Sequence, residues 1–144
     1  MSAAQELLLR VHKTAETGKN TTEKLIPMMK DRGLRAVAQM QLDEYNRICM
    51  SSEILLRSGG TEPGGVSAVA RVAGNAVLDI TMLTNHSVSH AAKLLIDSTD
   101  RGIQDIDSAL ALYGVSASPE SFNLASTLRD SLYRNRRELQ RFKR

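Results

Sequence analysis

The chain has 144 residues and a mass of 15.8 kDa, with 42% hydrophobic, 24% charged and 3% aromatic residues. This length suits one compact domain, and we predict a single helical-bundle domain over residues 1–144. The lone cysteine, Cys49, excludes an internal disulfide and any zinc site that needs two thiolates from one chain. With no tryptophan and few other aromatic side chains, the chain has little to offer for base stacking, which argues against nucleic acid as a ligand.

Nothing in the sequence resembles a membrane span or an export signal. The longest strictly apolar run, Ala109 to Tyr113, is far shorter than the roughly 20 residues that cross a bilayer. The first residues include Glu6 and have no basic region ahead of the short run Leu7 to Leu9. We therefore expect a cytoplasmic protein that does not associate with membranes.

In the first half of the chain, apolar residues recur at steps of three and four, which is typical of helices. The first helix is predicted over Ala3 to Met29, with Pro27 kinking or ending its last turn. The second is predicted over Leu34 to Ser58 and stops at Gly59. No alternating strand pattern occurs, so the predicted fold class is all-α.

The second half opens with the strongest loop signal in the chain, the glycine-rich stretch Gly59 to Gly65. A shorter helical stretch is predicted from Val66 to about Thr84. Ser87 has the chemistry of an N-cap and precedes a third long helix, Val88 to Tyr113, and a fourth begins at Ser118-Pro119. Four long helices, with an extra short helix between the second and third, predict an up-and-down four-helix bundle.

Each of the four predicted core stripes weakens near its centre. The small or polar residues there are Gly18, Thr22, Gln41, Ser98, Gly102 and Asn135. A buried amide without a partner costs about 1–3 kcal/mol. We therefore expect Gln41 and Asn135 to face the interior of the bundle and to be hydrogen-bonded there.

The centre of such a bundle is also where di-metal sites are built, from one Glu on each of two helices and Glu-x-x-His on each of the other two. No Glu-x-x-His spacing occurs in this sequence. The best remaining carboxylates are Glu16, Glu44, Asp97 and Asp100. We predict no metal site and no cofactor, and these four side chains are the candidate ligands of the alternative, a divergent di-metal protein that handles iron or acts as an oxidase.

The excess of basic residues lies at the C-terminal end of the chain. Residues 129–144 contain seven of the 19 Lys and Arg residues and two acidic ones. Cations at the C-terminus of a helix complement its dipole and need no ligand. A third possibility is that Arg134, Arg137 and Arg141 bind a polyanion such as a nucleic acid.

The segment from Ser87 to Ile103, SVSHAAKLLIDSTDRGI, resembles a ferritin-like group of small bacterial four-helix bundles. Two further segments, Thr14 to Gly18 and Leu42 to Tyr45, fit the same group. The resemblance implies a ferritin-like fold. Related ferritin-like families bind two metal ions, but this sequence departs from their ligand pattern, and no ligand carries over to a residue of this chain.

The function that we predict is that of a non-catalytic helical module that associates with itself or with a partner. The stretch from Val66 to Leu83 contains eight large apolar residues and only two charged ones, Arg71 and Asp79. Such a surface exceeds what monomers normally expose to water. Since twofold dimers are the commonest soluble assemblies, we expect a homodimer formed through this stretch.

Overall fold

The computed structural model of the chain describes residues 1–64 and 87–143. Every regular element within these ranges is helical, which confirms the all-α class. The whole of the predicted short helix, including the stretch from Val66 to Leu83 that was expected to form the dimer contact, lies outside the described residues. No helix in the described part combines the length and apolar character that a membrane span requires.

The first helix, α1, spans Ala3–Leu25. The side chain of Ser2 caps it by accepting a hydrogen bond of 3.2 Å from the backbone N–H three residues on. A 3₁₀ turn, Ile26–Met28, follows directly, because Pro27 has no backbone N–H to continue the α-helical pattern. The prediction that Pro27 ends the last turn is confirmed, although the α-helix stops at Leu25 and not at Met29.

The second helix, α2, spans Arg32–Ser58 and ends at Gly59. It begins two residues earlier than predicted, because the carboxylate of Asp31 accepts a hydrogen bond of 2.8 Å from the backbone N–H of Leu34. A side-chain cap of this kind satisfies one of the free N–H groups at a helix start.

The third and fourth helices begin where their capping residues predict. Helix α3 spans Val88–Tyr113, and the hydroxyl of Ser87 caps it. After the 3₁₀ turn Gly114–Ser116, helix α4 spans Pro119–Gln140 and is capped by Ser118.

Two hydrophobic clusters occupy the two ends of the bundle and show the direction of each helix. One cluster contains Leu7, Val11, Ile48, Ile106 and Leu128. The other contains Leu25, Leu34, Ala92, Leu95 and Leu139. Because the start of α2 shares a cluster with the start of α3, these two helices run in the same direction, antiparallel to α1 and α4.

Consecutive helices are therefore antiparallel within each hairpin, α1–α2 and α3–α4. Helices α2 and α3, which follow one another in the chain, are parallel, so the predicted up-and-down order does not hold between them. Helix α1 packs against α2 and α3. Helix α4 packs against the same two helices, and it meets α1 across the diagonal of the bundle. The chain leaves α2 at one end of the bundle and enters α3 at the other. Apolar spacing specifies which face of a helix is buried but not which way the helix points, so the sequence could not predict this crossover.

The buried face of α3 differs from the prediction near its centre. Thr99 and Ile103 are buried, whereas the neighbouring Ser98 and Gly102 are partly exposed. Because Leu95, Ile106 and Ala109 are buried as the stripe predicts, the difference is confined to the middle of the helix, where the buried positions shift by one residue.

Candidate functional site

A layer of polar side chains crosses the interior between the two hydrophobic clusters, with Tyr45 of α2 at its centre. Tyr45 is buried, and its phenol makes polar contacts with the side chains of Asn135 on α4 and Thr99 on α3. Its ring lies against Gly18 of α1, where a Cβ atom would be 2.6 Å from the ring carbon Cζ. Glycine is therefore required at this position by the close approach of the ring. All four helices meet at this tyrosine.

The structure places both predicted core amides in this layer. Gln41 is 4% exposed and Asn135 2% exposed, and Gln41 Nε2 donates a hydrogen bond of 3.4 Å to the backbone carbonyl of Asn135. Within the described ranges, Asn135 Nδ2 is buried without a well-formed hydrogen bond. The hydroxyl of Thr99 donates to the carbonyl of Leu95 at 2.7 Å.

The chemistry of the polar layer is structural in character. Burial raises the pKa of the Tyr45 phenol, and hydrogen bonding to Asn135 and Thr99 acts in the opposite direction. The phenol is thus protonated near neutral pH, and its neighbours in the layer are amides and hydroxyls that do not titrate. Buried polar contacts of this kind can set the register of helices against one another.

The structure does not bring the four candidate metal ligands together. Glu44 accepts hydrogen bonds from Arg134, and Asp100 accepts one from Arg136. Glu16 lies beside His12, and Asp97 is exposed. Across residues 1–64 and 87–143, no three His, Cys, Asp or Glu side chains are grouped as a metal site requires. The di-metal alternative therefore has no ligand set in the described part of the chain.

Sequence reasoning missed a buried histidine between α1 and α2. His12 is 4% exposed, its Nε2 atom is 3.1 Å from Glu53 Oε1, and its Nδ1 atom is 3.6 Å from Glu16 Oε2. His12 and Glu16 are four residues apart on α1, a spacing visible in the sequence, but the contact with Glu53 depends on how the two helices pair. The imidazole thus links α1 to α2 through Glu53, whereas its Nδ1 atom makes no hydrogen bond within the described residues.

Cys49 lies one turn before Glu53 on α2, close to this histidine site. Burial raises the pKa of the Cys49 thiol to about 11. A thiol with this pKa is almost entirely protonated at neutral pH, whereas nucleophilic cysteines have a lowered pKa. Its position in the core is that of a buried free cysteine that packs as a small hydrophobe.

Three of the four arginines in α4 donate hydrogen bonds to carboxylates on the neighbouring helices. Arg134 Nη2 donates to both carboxylate oxygens of Glu44, at 2.7 and 2.6 Å. Arg136 donates to Asp100 of α3 at 2.7 Å, and Arg129 donates to Asp107 of α3 at 2.6 Å. Of the three polyanion candidates, Arg134 is therefore engaged within the chain, while Arg137 and Arg141 are exposed. This arrangement weakens the case for a polyanion site on α4.

The surface that stands out is the side of α2 that faces away from Tyr45. Met40, Met50 and Ile54 are 67%, 63% and 64% exposed there. We define the outer face of α2 as Ala36, Met40, Asp43, Arg47, Met50 and Ile54, all of which are exposed. The inward stripe of this helix was predicted from the sequence and the outer one was not, although both recur at steps of three and four.

A second exposed apolar group lies around the turn between α3 and α4. It consists of Leu112, Val115 and Phe122, which are 69%, 99% and 44% exposed. Within the described ranges, large apolar side chains are therefore exposed both on the outer face of α2 and around this turn.

Comparison of the chain with protein-family models, with curated proteins and with solved structures gives no match. The case for a function therefore rests on the residues themselves.

Proposed function

We propose that the protein is a non-catalytic helical module whose role is to associate with itself, built on a ferritin-like bundle. The observation that carries this proposal is the outer face of α2, where three large apolar side chains are each about two-thirds exposed. Large apolar side chains aligned along one exposed face of a helix are typical of a surface that packs against another helix. The helix that bears them is already held on its opposite side by the bundle core, so their exposure is not needed for folding.

The buried titratable groups support a non-catalytic role. Tyr45 and Cys49 both have a raised pKa and stay protonated near neutral pH. His12 lies beside carboxylates on two helices. The one thiol of the chain, Cys49, lies close to this histidine and is not activated as a nucleophile. Metal analysis of protein purified without chelator separates this proposal from the di-metal alternative, which requires bound metal at a defined stoichiometry.

The ferritin-like part of the proposal is supported by helix order. Two antiparallel hairpins joined by one connection between opposite ends of the bundle is the topology of ferritin-like folds. Helices α2 and α3 run in the same direction here, as that topology requires. A cytoplasmic location is also part of the proposal, and the free thiol of Cys49 suits a reducing compartment.

The proposal is tested by measuring the mass of the full chain in solution. Light scattering and sedimentation velocity from about 1 to about 100 µM should show a dimer at twice 15.8 kDa in equilibrium with monomer. A monomer of 15.8 kDa over this whole range would contradict self-association. If the stretch from Val66 to Leu83 forms the contact, Val72→Asp should dissociate the dimer, while Val115→Asp, at a position 99% exposed in the monomer, should not.

A further inference from the structure

The outer face of α2 has the spacing of a coiled-coil seam. Its six positions follow one another at steps of four, three, four, three and four residues. This is the spacing at which one helix inserts its side chains between those of another. Within the described residues, helices α1 and α4 pack against the opposite side of α2, where Tyr45, Ile48 and Cys49 are buried. Helix α2 therefore carries a second helix-packing surface that the described part of its own bundle does not use.

The same six positions are symmetric about Tyr45. The symmetric pairs are Ala36 with Ile54, Met40 with Met50, and Asp43 with Arg47. A second α2 laid antiparallel across the first, centred on this point, brings the members of each pair together twice. The small alanine then faces the branched isoleucine, methionine faces methionine, and the carboxylate faces the guanidinium.

The two charged residues distinguish between the possible orientations. In a parallel pair, Asp43 would face Asp43 of the second copy, and Arg47 would face Arg47. In an antiparallel pair, each charge faces its opposite. Like charges placed across an interface are costly, and such polar positions within an apolar seam set both orientation and register.

We propose that two copies of the chain pair through the outer faces of α2 in antiparallel order, with Asp43 of each copy against Arg47 of the other. The proposal rests on the proposed function of self-association. It adds which face of the chain forms the contact, how the two helices are oriented, and that the partner is a second copy. A second copy is the partner because the seam is complementary to itself in size and in charge. The contact extends over about 27 Å of helix from Ala36 to Ile54 and closes under twofold symmetry.

The surroundings of the seam are compatible with this pairing. A groove of about 250 Å³ runs beside it and is lined by residues including Met40, Arg47 and Arg134. The Met50 side chain of the second copy lies opposite Met40 and has this space available. Glu44 flanks the midpoint of the seam, where its counterpart approaches. Arg134 Nη2 donates to both of its carboxylate oxygens, at 2.7 and 2.6 Å, and compensates its charge.

The first test exchanges the two charges. Asp43→Arg places two arginines at each central contact, and Arg47→Glu places two acids there. Each variant alone should dimerise at least about tenfold more weakly than the wild type. An equimolar mixture of the two should form heterodimers, because each copy then supplies the charge that the other lacks.

The double variant, Asp43→Arg with Arg47→Glu, tests orientation. It restores opposite charges across an antiparallel pair but leaves like charges facing each other in a parallel pair. Recovery of the dimer as a homodimer is therefore expected. Circular dichroism serves as the folding control, since both positions are exposed and all three variants should keep the helical content of the wild type.

The second test fixes the register with a short bismaleimide crosslinker. The chain carrying both Met40→Cys and Met50→Cys should crosslink to a covalent dimer, because residue 40 lies opposite residue 50 of the second copy. The matched control is Met40→Cys alone, whose two thiols lie about 15 Å apart along the seam. Cys49 does not compete, because burial raises its pKa to about 11 and keeps it protonated.

The outcomes separate this inference from the proposed function. A wild-type dimer that is unaffected by either charge reversal, and that dissociates with Val72→Asp, overturns the α2 pairing and leaves self-association standing. A wild-type chain that stays monomeric, as it would if another part of the same chain covered α2, overturns both. Loss of the dimer in the single variants without recovery in the double variant overturns the antiparallel order.

Discussion

The inward and outward faces of α2 share one helical period, but the described residues cover only the inward face. On the inward face, Tyr45 contacts Gly18, Thr99 and Asn135, so its polar group is matched within the chain. On the outward face, Asp43 and Arg47 lie two residues before and two residues after Tyr45, between the exposed methionines. In both faces a polar group interrupts an apolar seam and so can fix its register. The difference shows that one helical pattern can be covered by other helices of the described chain on one face and left exposed by them on the other.

The largest expected effect contrasts two neighbouring aliphatic residues, one on each face. Leu56 is fully buried and Ile54 is 64% exposed. Leu56→Ala removes buried apolar contacts and leaves a cavity, which should lower the free energy of unfolding by about 2–5 kcal/mol. Ile54→Ala should change it by no more than about 0.5 kcal/mol.

Both free energies are measured by urea unfolding at a protein concentration where the chain is monomeric, because association would add to the apparent stability. Equal losses for the two variants would mean that the outward face of α2 is buried within its own chain.

A smaller effect tests how closely the inward face is packed. The added Cβ of Gly18→Ala would lie 2.6 Å from Cζ of Tyr45, and the ring is buried, so the helices must shift. We expect a loss of about 1–3 kcal/mol, as for other overpacked core positions.

Gly102→Ala is the matched control at the same level of the bundle. Its Cβ would meet Leu132 and Thr14 at an ordinary 3.4 Å. Replacing glycine in a helix by alanine gains up to about 1 kcal/mol from helix propensity, so this variant should be neutral or more stable. Thermal unfolding of the two variants should therefore move in opposite directions, and a parallel loss would show that α3 is as tightly packed there as α1.

Local chemistry explains the parts of the fold that the sequence predicts well. Ser87 and Ser118 are serines at helix starts, Pro27 removes an N–H, and Gly59 follows the last turn of α2. Each acts on residues within one helical turn, so the element boundaries follow from neighbours in sequence. Gln41 was expected in the core because residues of one helical stripe share a face, and the apolar face is the one that is buried.

The parts that the sequence does not predict depend on how helices face one another. Tyr45 belongs to an apolar stripe, and its role as the centre of a polar layer appears only when Thr99 and Asn135 approach from other helices. The contact of His12 with Glu53 joins residues 41 positions apart. The direction of α3 and the free outer face of α2 likewise follow from the assembled bundle and not from any single helix.

The smallest effect concerns the pH dependence of Cys49 on the inward face. Burial raises its pKa to about 11, above the roughly 8.5 of an exposed thiol in the unfolded chain. Because the folded state holds the proton more tightly, the contribution of this thiol to stability is fully present below about pH 8.5 and is lost as the pH rises through 11. Between about pH 8 and 9.5, the wild type should lose about 1 kcal/mol more than Cys49→Ala, in which this ionisation is absent.

Alkylation rates check the same shift directly and compare the two faces of α2. The outward-facing thiol of Met50→Cys, in the Cys49→Ala background, should react with iodoacetamide with the pH profile of an ordinary exposed thiol. The profile of Cys49 in the wild type should lie about 2.5 pH units higher, because only the thiolate reacts and burial suppresses its formation. Coincident profiles would show that Cys49 is as accessible to water as residue 50. The inward side of α2 would then not be buried at this turn of the helix.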